Sequence, residues 1–391
     1  MEKEKQQKLK SINEILPLEL IQRILLSVPV KHLPRLRSVS KLWHSLISDP
    51  HFAESHLHDS PSPTHAFLLV RHSTGANLIR PEEVFDDNNY AIKEASLPFK
   101  KRHPPSDFRV MGSCRGFVLL NRQPHFLVIW NPLTGGSSKK ISYSAIVSRS
   151  KRYSFRIPAH ACLYGFGYDA SQDDYLVVVA WQDRDRRHHL DCFSLRANSW
   201  INLDSALPKP FGGREWQCCG LFLNGCIHWL SYSIKADSEA LLVFDLKERT
   251  FSKIYVPEEL VTCHSPNLVL LGGCLALYSQ EFGQTKTDIW VMKEYKVQSS
   301  WTSYEIPGRH MKPLCLSRNG DIIVLDSIFP YGDLKFAKYN VRGELLQHFE
   351  RPSRHEYRYP IDHANYYTES LLLFPSYRKH KDKKKRKKNV M

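Results

Sequence analysis

No run of eighteen consecutive apolar residues occurs in this 391-residue chain, so no segment reads as a membrane-spanning helix. No Cys-x-x-Cys pair occurs among the nine cysteines, Cys114, Cys162, Cys192, Cys218, Cys219, Cys226, Cys263, Cys274 and Cys315. An odd number without paired spacing points to reduced, mostly buried thiols rather than a disulfide framework or zinc ligands. No Gly-x-x-x-x-Gly-Lys phosphate loop, dinucleotide fingerprint or kinase signature is present. Residues Met1 to Lys10 are charged and polar, which is not a secretory signal. These absences predict a protein of the nucleus or cytoplasm, with no membrane segment, no cofactor and no metal.

What is present is aromatic and basic. The 8 Trp, 18 Tyr and 19 Phe favour β structure over a helical bundle, and 42% hydrophobic residues allow a sizeable core. The formal charge is +15, but residues 378–388 hold nine basic residues and one acidic, a net +8, leaving only about +7 for everything else. The excess is a terminal tail rather than a basic face, so a nucleic-acid partner is not expected. Within it, Lys383, Lys384, Lys385, Arg386, Lys387 and Lys388 suit nuclear import. A nonspecific contact with an anionic surface and a solubilising disordered end (376–391) are the alternatives.

The organising stretch lies near the other end. Pro17 suits the first turn of a helix, and Leu18, Ile21, Leu25 and Val28 follow at helical spacing with Ile24 beside them, until Pro29 ends the run. Leu33, Leu36, Val39, Trp43, Leu46 and Ile47 continue the spacing through a second and a third short helix, the third opened by Ser40. Three helices in about 35 residues make a module that is marginal alone, with more apolar surface than core to receive it, so part of that surface is expected to meet a partner. Residues 1–13 read as a disordered leader, and Pro61 and Pro63 make 53–64 a short, stiff connector.

This stretch, residues 14–52, resembles an F-box. The matching residues are Leu16-Pro17, Glu19-Leu20, Ile24-Leu25-Leu26, Pro29-Val30-Lys31, Leu33, Leu36-Arg37, Val39-Ser40-Lys41, Trp43, Leu46-Ile47 and Asp49-Pro50-His51-Phe52. The resemblance implies docking on a Skp-type adaptor, and through it on cullin and RING subunits of a ubiquitin ligase. Leu16, Pro17, Ile24, Leu25, Leu36, Val39 and Trp43 would carry the contact. The plainer alternative is that these side chains form the core of a small helical cap.

From Thr64 onward helical spacing gives way to short apolar runs between turn signals. The runs form a recurring unit: a strand, a turn with Gly or Asp-Ala-Ser, a second strand, a variable polar loop, an aromatic strand, a turn and a last strand. The first turns fall near residues 116, 170, 225, 273 and 320, separated by about 54, 55, 48 and 47 residues. That period predicts a β-propeller over 65–375 with about six four-stranded blades, seven or eight remaining open. The segment Tyr366 to Phe374 is expected to return to the divergent first blade and close the ring. Gly112-Ser-Cys-Arg-Gly-Phe-Val, Trp130-Asn-Pro-Leu-Thr, Tyr164-Gly-Phe-Gly-Tyr-Asp, Gly220-Leu-Phe-Leu-Asn-Gly-Cys-Ile-His-Trp, Phe244-Asp-Leu and Leu314-Cys-Leu-Ser-Arg-Asn-Gly resemble the plant F-box-associated interaction domain, often described with kelch repeats. Only Gly272-Gly273 shows a kelch-like double glycine, so the chain departs from a true kelch pattern.

Catalytic readings fare poorly. Gly112-Ser113-Cys114-Arg115-Gly116 has the form of a nucleophile elbow, but Phe117-Val118-Leu119-Leu120 continues as a strand where an elbow needs a helix. Cys218, Cys219, Cys226 and His228 lack regular ligand spacing. The loops between second and third strands (121–125, 182–189, 231–239, 279–286 and 327–333) vary while the strands stay alike, which is where recognition usually sits. Arg186, Arg187, His188, Lys235, Phe282, Phe329 and Tyr331 are therefore candidate contacts for an unknown target protein. The resemblance implies a non-catalytic target-recognition subunit of a Skp–cullin–F-box ubiquitin ligase. The alternatives are a protein that sequesters its partner without degradation, and a propeller enzyme.

Overall fold

The computed structural model describes residues 16–59, 65–71, 75–86, 91–98, 108–122, 126–147, 163–182, 187–207, 219–231, 240–257, 260, 266–279, 285–308, 311–326, 334–351 and 364–374. Helix α1 (Leu18–Ser27) starts behind Pro17, whose missing N–H costs nothing there, and stops before Pro29. A 3-10 turn (Val30–His32) leads into α2 (Leu33–Leu36). In α3 (Lys41–Ile47) the Ser40 hydroxyl accepts the backbone N–H of Trp43 at 3.1 Å, a side-chain N-cap.

The connector expected at 53–64 is instead helical as far as Asp59, within α4 (Pro50–Asp59). Asp49 accepts the His51 N–H on its side chain at 2.8 Å and the Ala53 N–H on its carbonyl at 3.1 Å, and Pro50 fits the first turn. The Asp-Pro pair thus opens a helix before the downstream prolines can act.

The strands form six four-stranded antiparallel sheets. The first sheet is ordered β24-β1-β2-β3, with β1 (His65–Arg71), β2 (Gly75–Ile79), β3 (Ile92–Ala95) and β24 (Ala364–Thr368). The second holds β4 (Phe108–Cys114), β5 (Phe117–Arg122), β6 (Phe126–Trp130) and β7 (Ile141–Ser142). The third holds β8 (Leu163–Asp169), β9 (Asp174–Gln182), β10 (His188–Ser194) and β11 (Ser199–Asn202). The fourth holds β12 (Leu221–Leu223), β13 (Cys226–Ser231), β14 (Ala240–Asp245) and β15 (Thr250–Tyr255). The fifth holds β16 (Asn267–Leu271), β17 (Cys274–Tyr278), β18 (Lys286–Met292) and β19 (Trp301–Pro307). The sixth holds β20 (Met311–Leu316), β21 (Ile322–Asp326), β22 (Leu334–Tyr339) and β23 (Leu345–Arg351). Neighbouring sheets meet through the first strand of each, as in β24 with β4, β4 with β8, β8 with β12 and β16 with β20. This is the radial arrangement of a propeller, with six blades among the described residues.

Apolar seams between blades hold the ring. Trp229 of blade 4 fills the seam with blade 3, donating its indole N–H to the Tyr164 carbonyl at 2.8 Å. Gly165 and Gly220 leave the room for it: a Cβ on either would come within 2.7 Å of Trp229 side-chain atoms. Blade 6 meets blade 1 where Leu314, Cys315, Ile323 and Phe336 pack with Ile79, Val84 and Ala91.

The ring closes between the two ends of the propeller segment, because β24 pairs antiparallel with β1, Ala66 opposite Tyr367 and Leu68 opposite Asn365. The closing strand is shorter and earlier than the expected 366–374. After Thr368 the chain leaves the sheet as a strap, Glu369–Phe374, buried as far as Leu372. Its polar groups are claimed elsewhere. Glu369 accepts Arg80 Nη2 at 2.7 Å and Nε at 3.1 Å, and Asn131 Nδ2 donates to the carbonyls of Ser370 and Leu372, each at 3.0 Å.

Candidate functional site

The helical module has two apolar faces. Ile21, Leu25, Val30, Leu33, Ile47, Phe52 and Ala53 face inward, in one cluster with Phe117, Tyr164, Phe166, Tyr175, Leu371 and Leu372 of the propeller. Leu18, Leu20, Ile24 and Val39 face outward at 45%, 44%, 46% and 54% exposure. A small module that fills its inner face and still presents four large apolar side chains carries a surface for association.

The seven residues singled out for this contact separate in the structure. Pro17, Ile24 and Val39 are exposed, while Leu16, Leu36 and Trp43 are partly buried against the inner cluster. Leu25, at 0% exposure, is a core residue rather than a surface one, on the inner side of α1 with Ile21 in the apolar cluster that the helices share with the propeller. Leu18 and Leu20 were missed by sequence reading. They lie in the same first turns as Pro17, and only the burial of Ile21 and Leu25 on the other side of α1 reveals them as outward.

The docking side fixes the polarity of the propeller. In blades 2 to 6 the first-to-second and third-to-fourth strand turns lie at one end and the second-to-third loops at the other, and in blade 1 the third-to-fourth connection shares the turn end. The helical module sits on the turn end. Lys31 pairs with Glu83, which follows the third strand of blade 1, and Arg115, in the first turn of blade 2, pairs with Glu54 of α4. The variable loops therefore leave from the opposite end, a strand's length of roughly 20 Å away. Of the candidates there, Arg187 is exposed and His188 is half-buried at the start of β10. Arg186, Lys235, Phe282, Phe329 and Tyr331 lie outside the described residues, as do 383–388 of the basic tail.

The residues considered for chemistry are engaged structurally. Arg115 and Gly116 have φ of 50° and 84°, the geometry of a tight two-residue turn between β4 and β5, so the elbow-like motif is a hairpin. Burial pushes the Cys114 thiol far up, and Cys192 and Cys315 up to about 12, which keeps them protonated and poorly nucleophilic. His228 donates Nδ1–H to the Leu221 carbonyl at 3.1 Å and accepts from the Tyr295 hydroxyl on Nε2 at 2.9 Å, so both ring nitrogens are used. Burial lowers its pKa to about 4. Among the described residues no group of three or more His, Cys, Asp or Glu is arranged to hold a metal ion.

An outward-facing helical module seated on a β-propeller defines the class: an F-box protein with a propeller domain. The model of the F-box domain matches residues 14–55, and that of the F-box associated beta propeller domain matches 69–327. The chain belongs to the F-box associated β-propeller family. It is similar to the F-box protein CPR1 of Arabidopsis thaliana, 29% identical over 344 residues that cover 80% of this chain and 79% of that protein. An F-box/kelch-repeat protein of the same plant is 28% identical over 330 residues, covering 80% of this chain and 85% of the relative. The structure of TolB from Acinetobacter baumannii is a loose likeness, with a TM-score of 0.43 and 10% identity over 81% of this chain and 71% of that one.

Proposed function

We propose that the protein is the target-recognition subunit of a Skp–cullin–F-box ubiquitin ligase. The observation that carries this reading is the outward quartet Leu18, Leu20, Ile24 and Val39 on a module whose other face is already filled. The quartet, with Pro17 beside it, receives a Skp-type adaptor, which brings the cullin and RING subunits. The loop end of the propeller, including Arg186, Arg187, His188, Lys235, Phe282, Phe329 and Tyr331, holds the target protein. The chain itself makes and breaks no covalent bond. It raises the rate of ubiquitin transfer by turning a bimolecular encounter into an effectively intramolecular one. The run 383–388 directs nuclear import, for which the localisation of a fluorescent chain ending at residue 375 is the check.

The test is a calorimetric titration of a Skp-type adaptor into the full chain and into Leu20→Asp and Ile24→Asp variants. Both side chains are already in water, so the melting temperature should hold while a charge in the contact weakens binding by at least about tenfold. Equal affinity in all three proteins, or no binding by any, overturns the proposal.

A further inference from the structure

Arg115 is half of a hairpin turn, yet its contacts reach three separate parts of the chain. Its guanidinium pairs with Glu54 on α4. The same plane lies over the Tyr168 ring of blade 3, 3.9 Å from the centroid, and Tyr168 is itself held by its hydroxyl donating to Asp173 at 2.7 Å. The Arg115 carbonyl accepts the Ser370 hydroxyl of the strap at 3.0 Å. The next residue, Gly116, is bare where the strap passes, since a Cβ there would stand 1.9 Å from Ser370 Oγ. Around this point Phe117 packs edge-on to Tyr175 at 5.1 Å and to Phe374 at 5.8 Å.

We infer that Arg115 is the positioning residue that sets the angle of the F-box on the propeller, through Glu54 on one side and Tyr168 and the strap on the other. Arginine suits the joint because its planar fork stacks on an aromatic ring while its N–H groups remain directed at a carboxylate, which lysine cannot do. Its side chain is only 12% exposed, so the contact is held in a restricted setting rather than swinging in solvent. The left-handed turn aims it: φ of 50° at Arg115 directs the side chain off the sheet toward α4. The apolar cluster beneath the F-box holds the two modules together but is non-directional, so a polar joint is what fixes the angle between them. The consequence for ligase geometry rests on the function proposed above, but the joint itself does not.

The test uses the full chain with a pair of spin or fluorescent probes, introduced through unnatural amino acids at exposed Arg23 and Lys253. Distances are compared in the parent, Arg115→Ala and Glu54→Ala. Loss of the joint should widen the distance distribution at least about twofold in both variants, with adaptor affinity held within about twofold. A distribution that superposes on the parent's in both variants overturns the inference. If Arg115→Ala prevents folding, Glu54→Ala decides alone, since it alters only a half-exposed side chain of α4. Broadening supports the joint and an unchanged distribution refutes it. Failed adaptor binding by the parent chain together with broadening in the variants would refute the proposed function while supporting the joint.

Discussion

Replacing Asn131 with alanine isolates the attachment of the strap. Asn131 is fully buried, and its Nδ2 is the donor to two strap carbonyls, Ser370 O and Leu372 O, at 3.0 Å each. Its Oδ1 accepts the N–H groups of Leu133 and Thr134 at 2.9 and 3.2 Å. Those two turn residues are only half-buried, so water can replace the lost acceptor. The two carbonyls belong to Ser370 and Leu372, which are 1% and 6% exposed, and they lose their donor without access to solvent. At about 1–3 kcal/mol for each stranded group, the substitution should cost about 4 kcal/mol in total. That exceeds an ordinary point mutation. The assay is urea unfolding followed by tryptophan fluorescence, with limited proteolysis of the C-terminal segment beside it. Asn131→Asp should be at least as harmful, because it keeps the turn acceptor but sets a carboxylate against two carbonyl oxygens. A loss below about 1 kcal/mol with no gain in proteolysis would show that the strap is not held by Asn131.

Acid should destabilise the propeller through His228. Burial holds the folded imidazole neutral down to about 4, whereas the unfolded one protonates below its ordinary 6.5. The unfolded state then binds more protons, so stability falls as pH drops from 6.5 toward 4, by up to about 3 kcal/mol from this group. His228→Gln should flatten that part of a stability-against-pH profile, and an unaltered slope would contradict the assignment. Gly165→Val should destabilise by at least about 1–3 kcal/mol, because its side chain would overlap Ile227 and Trp229 in the seam between blades 3 and 4. A melting temperature equal to the parent's would mean that the seam has slack.

The legible parts were those whose cause is local. The spacing of Ile21 and Leu25, the stop at Pro29 and the cap at Ser40 are written within a few residues of where they act, and the helices follow them. The blades were legible because each hairpin repeats its own turn chemistry. Helix α4 is also signalled locally, by Asp49-Pro50, although Pro61 and Pro63 just beyond it carry the pattern of a stiff connector. What sequence could not disclose were pairings across the chain. Arg115 meets Glu54 across 61 positions, and Asn131 holds Ser370 and Leu372 across 239 and 241, with no pattern nearby to announce either. Leu25 and Leu20 are equally apolar in sequence, and only the tertiary packing around α1 decides which of them faces out.

The strap also orders events in the life of the chain. The F-box is synthesised before the propeller, yet Leu371 and Leu372, which complete the cluster beneath it, follow the sixth blade. A product that stops before residue 364 lacks both the closing strand and the strap. It still displays the outward leucines of α1, but over an open ring. A fully seated F-box is therefore a record that translation has passed the sixth blade.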